Sequence, residues 1–260
     1  MLTRESECER NLYAALREAF TREQRTGIHL TSLLNPRQTY WRHLDPQPIT
    51  DAEIGFFSGG RGHEDAVAKL LREDFIETPE CEIDGIFLRP DFQAISDRII
   101  PKGEYAEFKT RRSNLPKTDE EANDRKRGLT TYRDQVRGYM ALKRRPTMYL
   151  IVLSLTEGKT RDPLSRSAPV YAVYKETMTE AELMAMRDDL LTRKILLASP
   201  ASSDMMPTCW AFLCGKWTKA LVRDGGGWTY QPMCPYYLKC EPWQTDPDRG
   251  GTYDADTKRV

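Results

Sequence analysis

Glu107 and Lys109 stand two residues apart in Tyr105-Ala106-Glu107-Phe108-Lys109, and Asp91 follows Arg89-Pro90 upstream of them. Two carboxylates beside an ammonium can hold a hard divalent cation and place a water against it, which is what hydrolysis of a phosphodiester requires. Alternate residues of a strand face the same way, so Glu107 and Lys109 share a face and the lysine can orient the water or help deprotonate it. His63 closes Gly59-Gly60-Arg61-Gly62-His63 and adds an imidazole as a further metal ligand, after glycines that let backbone and substrate approach closely. Gln135 and Tyr139 are four apart, hence on one helix face, where an amide and a phenol could bridge the water, the lysine and a phosphate. Plainer readings stand beside these: a turn aspartate at Asp91 with Asp84 or Asp97 as the ligand, an exposed strand pair at Glu107 and Lys109, and a helix-cap histidine.

Further chemistry lies outside this set. Arg61, Arg111, Arg112, Arg125, Lys126 and Arg127 could contact a phosphate backbone, although the interleaved Asp119, Glu120, Glu121 and Asp124 suit a solvated charged loop equally. Cys209, Cys214, Cys234 and Cys240 crowd toward the C-terminus, flanked by Trp210, Trp217, Tyr236 and Trp243, whereas Cys8 and Cys81 stand alone. Such a group suits an iron–sulfur cluster or Zn²⁺ more than disulfides. The formal net charge is zero, so any attraction for nucleic acid must come from local clusters. No apolar run reaches membrane-spanning length and the start is polar; the expectation is a soluble cytoplasmic protein with no membrane partner.

The elements that must position these residues follow from periodicity. Helices are expected over residues 5–22, 31–41 with a break before Pro36, and 64–75, the last beginning at His63 after a flexible entry at 58–62 and burying Val67, Leu70, Leu71 and Phe75. Strands over 83–88, 92–100 and 105–109 should form an antiparallel meander turning at Pro101-Lys102-Gly103. A charged loop leads to a helix from about 119 or 129 to 143. Strands at 147–155 and 170–174 follow, then a helix over 179–197 burying Leu183, Met186, Leu190, Leu191 and Ile195. This order predicts an α/β core, divided as residues 1–200 for the core with its N-terminal helical segment, 201–243 for the cysteine-rich segment and 244–260 for a polar tail.

Glycine-x-x-x-histidine, aspartate, glutamate-x-lysine and glutamine-x-x-x-tyrosine, in that order from Gly59 to Tyr139, resemble the motif series of RecB-like nucleases. The resemblance implies a PD-(D/E)XK core, a central mixed sheet flanked by helices, with the metal held by His63, Asp91, Glu107 and the Phe108 carbonyl. It implies Mn²⁺- or Mg²⁺-dependent cleavage of DNA that is single-stranded or has single-stranded ends, commonly from an end, with an endonuclease or a nucleic-acid-binding adaptor as rivals. Residues 33–41 and Cys234-Pro235-Tyr236-Tyr237-Leu238-Lys239-Cys240 are similar to segments of the CRISPR-associated iron–sulfur exonucleases. That likeness implies a [4Fe–4S] cluster in the C-terminal segment and a protein partner in recombination or CRISPR adaptation. Asn35 and Gln231 occupy two positions where that family carries cysteine, so Cys209 and Cys214 are the candidates to complete the ligand set, with Zn²⁺ as the alternative ion.

Overall fold

Met148-Tyr149-Leu150-Ile151-Val152-Leu153 is apolar without alternation, the mark of a strand buried on both faces. The computed structural model builds the chain around it and describes residues 6–22, 27–47, 49, 51–111, 114–123, 129–157, 168–198, 217–221, 228–232 and 236. In chain order the elements are α1 (Ser6–Arg22), α2 (Leu30–Leu34), α3 (Pro36–Leu44), α4 (Asp51–Leu70), β1 (Phe75–Glu77), β2 (Cys81–Ile83), β3 (Ile86–Leu88), β4 (Phe92–Ala94) and β5 (Tyr105–Arg111). There follow α5 (Asp119–Asn123), α6 (Thr130–Lys143), β6 (Thr147–Glu157), β7 (Ala168–Thr177), α7 (Glu180–Ala198), β8 (Trp217–Leu221) and β9 (Trp228–Pro232).

Five strands form one mixed sheet in the order β1-β4-β5-β6-β7, making the molecule an α/β protein with helices on both sheet faces. All its pairs are antiparallel except β5 and β6, which run parallel because α5 and α6 carry the chain back between them. On one face Met148, Leu150 and Val152 pack with α2, α6 and α7 through Leu30, Leu33, Val136, Met140, Leu183 and Leu190. On the other, Ile151 and Leu153 join Phe92, Ala94, Ala106 and Phe108 under Val67 of α4. Gly138 lets α6 approach α2 closely, since a Cβ there would lie 2.8 Å from Leu30 Cδ1. A capping box starts α7: Thr179 Oγ1 accepts from the Glu182 amide at 3.3 Å and the Glu182 carboxylate accepts from the Thr179 amide at 2.8 Å.

Several boundaries differ from the sequence expectation. The glycine-rich stretch before His63 is helical, part of α4, because Ile54 and Val67 anchor both ends of one continuous amphipathic helix in buried positions. Leu70, expected on its buried stripe, is 78% exposed, and Phe75 belongs to β1. The strand expected over 83–88 is a hairpin: Asp84 and Gly85, at φ 53° and 71°, form the two-residue turn between β2 and β3. These two strands form a separate sheet, not a step of the meander.

β4 stops at Ala94, since Ser96 and Arg98 turn back to donate to the buried Asp74 carboxylate, Ser96 Oγ at 2.7 Å and Arg98 Nε at 2.8 Å. Ile195 of α7 is 71% exposed because it sits 140° around the helix from the fully buried Leu190; Arg193 takes the buried place and donates to the Leu33 carbonyl at 3.3 Å. β8 and β9 pair antiparallel within the expected cysteine-rich segment. Among the described residues no helix is long and apolar enough to cross a membrane.

Candidate active site

The antiparallel register of β4 and β5 pairs Phe92 with Ala106, and one step further sets Asp91 opposite Glu107. The Asp91 carboxylate accepts from the Phe108 amide at 2.7 Å, which fixes it to the neighbouring strand. Glu107 and Lys109 point to the α6 face, as their alternation requires, with Leu150 of β6 in register beside Glu107.

Glu107 is 1% exposed. Its Oε1 accepts from the Lys109 ammonium and, at 2.7 Å, from the Gln135 amide. The second Gln135 hydrogen goes to the Tyr139 hydroxyl at 2.9 Å, and that hydroxyl donates to the Arg89 carbonyl at 3.0 Å. The pair of residues on α6 was expected to bridge water, lysine and phosphate. Here it aligns Glu107 and secures the loop that carries Asp91, because Tyr139 is buried beneath that loop.

Thr78 completes the hold. Its hydroxyl donates to the Pro90 carbonyl and its amide to the Asp91 carbonyl at 3.2 Å, so three successive carbonyls before β4 are pinned. An isolated threonine gives no sequence signal, and this role was not anticipated.

Burial first, and then the charge of Asp91, push the Glu107 carboxyl up to about 8 against the pull of Lys109. Burial opposes the charge on Lys109, but Glu107, Asp91 and Glu64 outweigh it and hold the ammonium protonated well above the ordinary lysine range. A lysine so held donates hydrogen bonds and can orient a water.

His63 lies half-buried on α4, next to Glu64, whose carboxyl is raised by burial and by Asp91. Glu64 belongs to no motif of the sequence and falls at the first position of the helix expected over 64–75. Asp84 sits in the β2–β3 turn, bound to Arg187 at 2.6 Å, and Asp97 accepts from the Lys102 amide at 2.7 Å, so neither alternative carboxylate is drawn into the site. Arg61 is exposed on α4 and Arg111 half-buried at the end of β5. Arg112, Arg125, Lys126, Arg127 and the four cysteines Cys209, Cys214, Cys234 and Cys240 lie outside the described residues.

Among the described residues no three His, Cys, Asp or Glu groups converge closely enough to share an ion as they stand. The donor chemistry nevertheless fits a hard divalent cation. Glu107 Oε2 is buried with no hydrogen-bond partner among the described residues, and the carboxylates of Asp91 and Glu64 add like charge to it.

No family model matches the chain, and no curated protein matches it. A solved structure described as "Crystal structure of SSO0001" is similar at a TM-score of 0.43 and 20% identity, over 72% of this chain and 86% of that chain, which is too slight a likeness to carry an argument.

Proposed function

We propose that this chain is a divalent-cation-dependent deoxyribonuclease with a PD-(D/E)XK core, acting as an exonuclease or DNA-end-processing enzyme. One observation supports this reading above the others: Asp91, Glu107 and Lys109 meet at the β4–β5 pair, with Glu107 Oε2 buried and without a hydrogen-bond partner among the described residues. A bound cation would supply the partner that this oxygen lacks among the described residues.

Asp91, Glu107, the Phe108 carbonyl and His63 would hold Mn²⁺ or Mg²⁺, which when bound polarises a phosphate and lowers the pKa of a water. Lys109 stays charged and donates to the water or to a phosphate oxygen. Gln135 sets the Glu107 carboxylate in place, and Tyr139 with Thr78 sets Asp91. DNA that is single-stranded or has single-stranded ends is the proposed substrate, with Arg61, Arg111, Arg112, Arg125, Lys126 and Arg127 as phosphate contacts. The four C-terminal cysteines are proposed to carry a [4Fe–4S] cluster or Zn²⁺.

The test is cleavage of end-labelled linear DNA and covalently closed circles in Mn²⁺. Linear DNA should be degraded and circles spared, and Asp91→Ala, Glu107→Ala and Lys109→Ala should each lower the rate roughly 100-fold or more with the circular dichroism unchanged. Cutting of circles would make it an endonuclease instead. Binding of DNA with no cleavage at all would make it an adaptor and overturn the reading.

A further inference from the structure

β7 is the last strand of the five-stranded sheet, and among the described residues no strand pairs with its outer side. An edge strand offers a row of backbone N–H and C=O groups that a further strand can take up, and proteins discourage this with short edges, charges or bulges. The opposite edge follows that rule, since β1 has three residues and ends on Glu77. β7 does not. It runs from Ala168 to Thr177, and its register with β6 is unbroken from Val170 onward. Tyr171, Val173 and Val170 are 56%, 47% and 39% exposed. Tyr171 and Val173 pair with Leu153 and Ile151 of the buried cluster under α4, so they carry that apolar face out to the edge. Pro169 precedes the apolar run and the charged Lys175 and Glu176 follow it; Glu176 is taken up by Arg133 and Arg137, each donating at 2.8 Å.

We infer that β7 is a homodimer interface: a second copy of this chain adds its own β7 antiparallel, and the two sheets join edge to edge about a two-fold axis through Ala172. Directly opposite residues of an antiparallel pair point to the same face, so a two-fold axis perpendicular to the sheet keeps both faces continuous. On each side of that axis Val170 falls opposite Tyr174 and Tyr171 opposite Val173. Every one of these pairs sets an aromatic against a β-branched side chain, a favoured cross-strand combination, and the small alanine meets its own copy at the axis. Lys175 then lies opposite Pro169 and Glu176 opposite Ala168, so no like charges face each other, and a formal net charge of zero adds no repulsion between copies. The run from Val170 to Tyr174 is therefore complementary to itself, which favours a second copy over an unrelated strand. The inference does not depend on the nuclease reading.

Sedimentation equilibrium of the full chain tests it. The wild type should approach twice the mass of one chain as concentration rises. Tyr171→Lys and Val173→Glu, both at exposed positions, should each return the mass to that of one chain with the circular dichroism unchanged. The double variant sets each new lysine opposite a new glutamate and should regain the dimer. Should either variant misfold, Ala172→Cys reads the same register: opposite Cα atoms lie about 4.5–5.5 Å apart, within disulfide reach, so mild oxidation should cross-link it well above the wild-type level and leave Lys175→Cys at that level. A dimer that survives both single substitutions uses another surface and overturns the inference, as does a double variant that stays monomeric or an Ala172→Cys chain that does not cross-link. A monomeric wild type overturns it too. Fast exchange of the outward amides of β7 would then leave the edge to a strand of a different protein, and slow exchange would mean that the chain covers it with its own residues.

Discussion

Glu107 keeps its buried place because Lys109 and Gln135 both donate to one of its oxygens, while nothing among the described residues donates to the other. Burial, then Asp91, raises its carboxyl from the ordinary 4.5 to about 8, so between those values the folded chain holds a proton that the unfolded chain has released. The stabilising contribution is therefore complete below about 4.5 and is lost as pH climbs through about 8. Metal-free protein should be less stable to urea at pH 8 than at pH 5.5, and Glu107→Gln, a neutral carboxyl mimic, should flatten that slope. A slope as steep in the amide as in the wild type would refute the account. Of these residues, Glu107 and Lys109 were legible as a pair because strand alternation dictates their shared face. Thr78 was not, since it depends on a loop that only tertiary structure brings near.

The loop Arg89-Pro90-Asp91 gains its rigidity from two different elements, α6 through Tyr139 and the segment after β1 through Thr78. Each hydroxyl satisfies a carbonyl that would otherwise be desolvated without a partner. Thr78→Val and Tyr139→Phe should each lower stability by about 1–2 kcal/mol. The double variant should show coupling in both stability and Mn²⁺ affinity, because both hydroxyls constrain the same three residues. Strict additivity in a double-mutant cycle would mean that the two anchors act on separate parts of the loop. At this scale the long elements α6, α7, β6 and β7 were readable from periodicity and length. The short strands were not: three-residue β1, β2, β3 and β4 are set by turns, by the Asp74 network and by pairing, and their residues alone do not carry a period. The Asp84-Gly85 turn was the missed local signal, a sequence that favours two successive positive φ angles.

At the scale of the molecule the α/β class was legible from the order of the elements, whereas the parallel β5–β6 pair was not, because a crossover through α5 and α6 specifies no neighbour until the sheet assembles. The cysteine group makes its own prediction for the whole chain. Protein purified without oxygen should be brown if Cys209, Cys214, Cys234 and Cys240 hold iron and sulfur, and colourless with about one zinc per chain if they hold Zn²⁺. Serine at Cys234 or Cys240 should lower the melting temperature more than serine at Cys8 or Cys81, because a bound centre adds its binding free energy to folding. Finding neither metal, with all four thiols freely titratable, would refute it. Tyr236, between Cys234 and Cys240, is 1% exposed; its hydroxyl accepts from the Gln47 amide at 3.2 Å and donates to the Asp45 carbonyl at 3.1 Å, just past α3. Tyr236 is therefore tied to the segment just past α3. Ending the chain at residue 200 would vacate the slot that this ring fills and strip two backbone groups of their partner, so the shortened protein should aggregate where the full chain stays monodisperse.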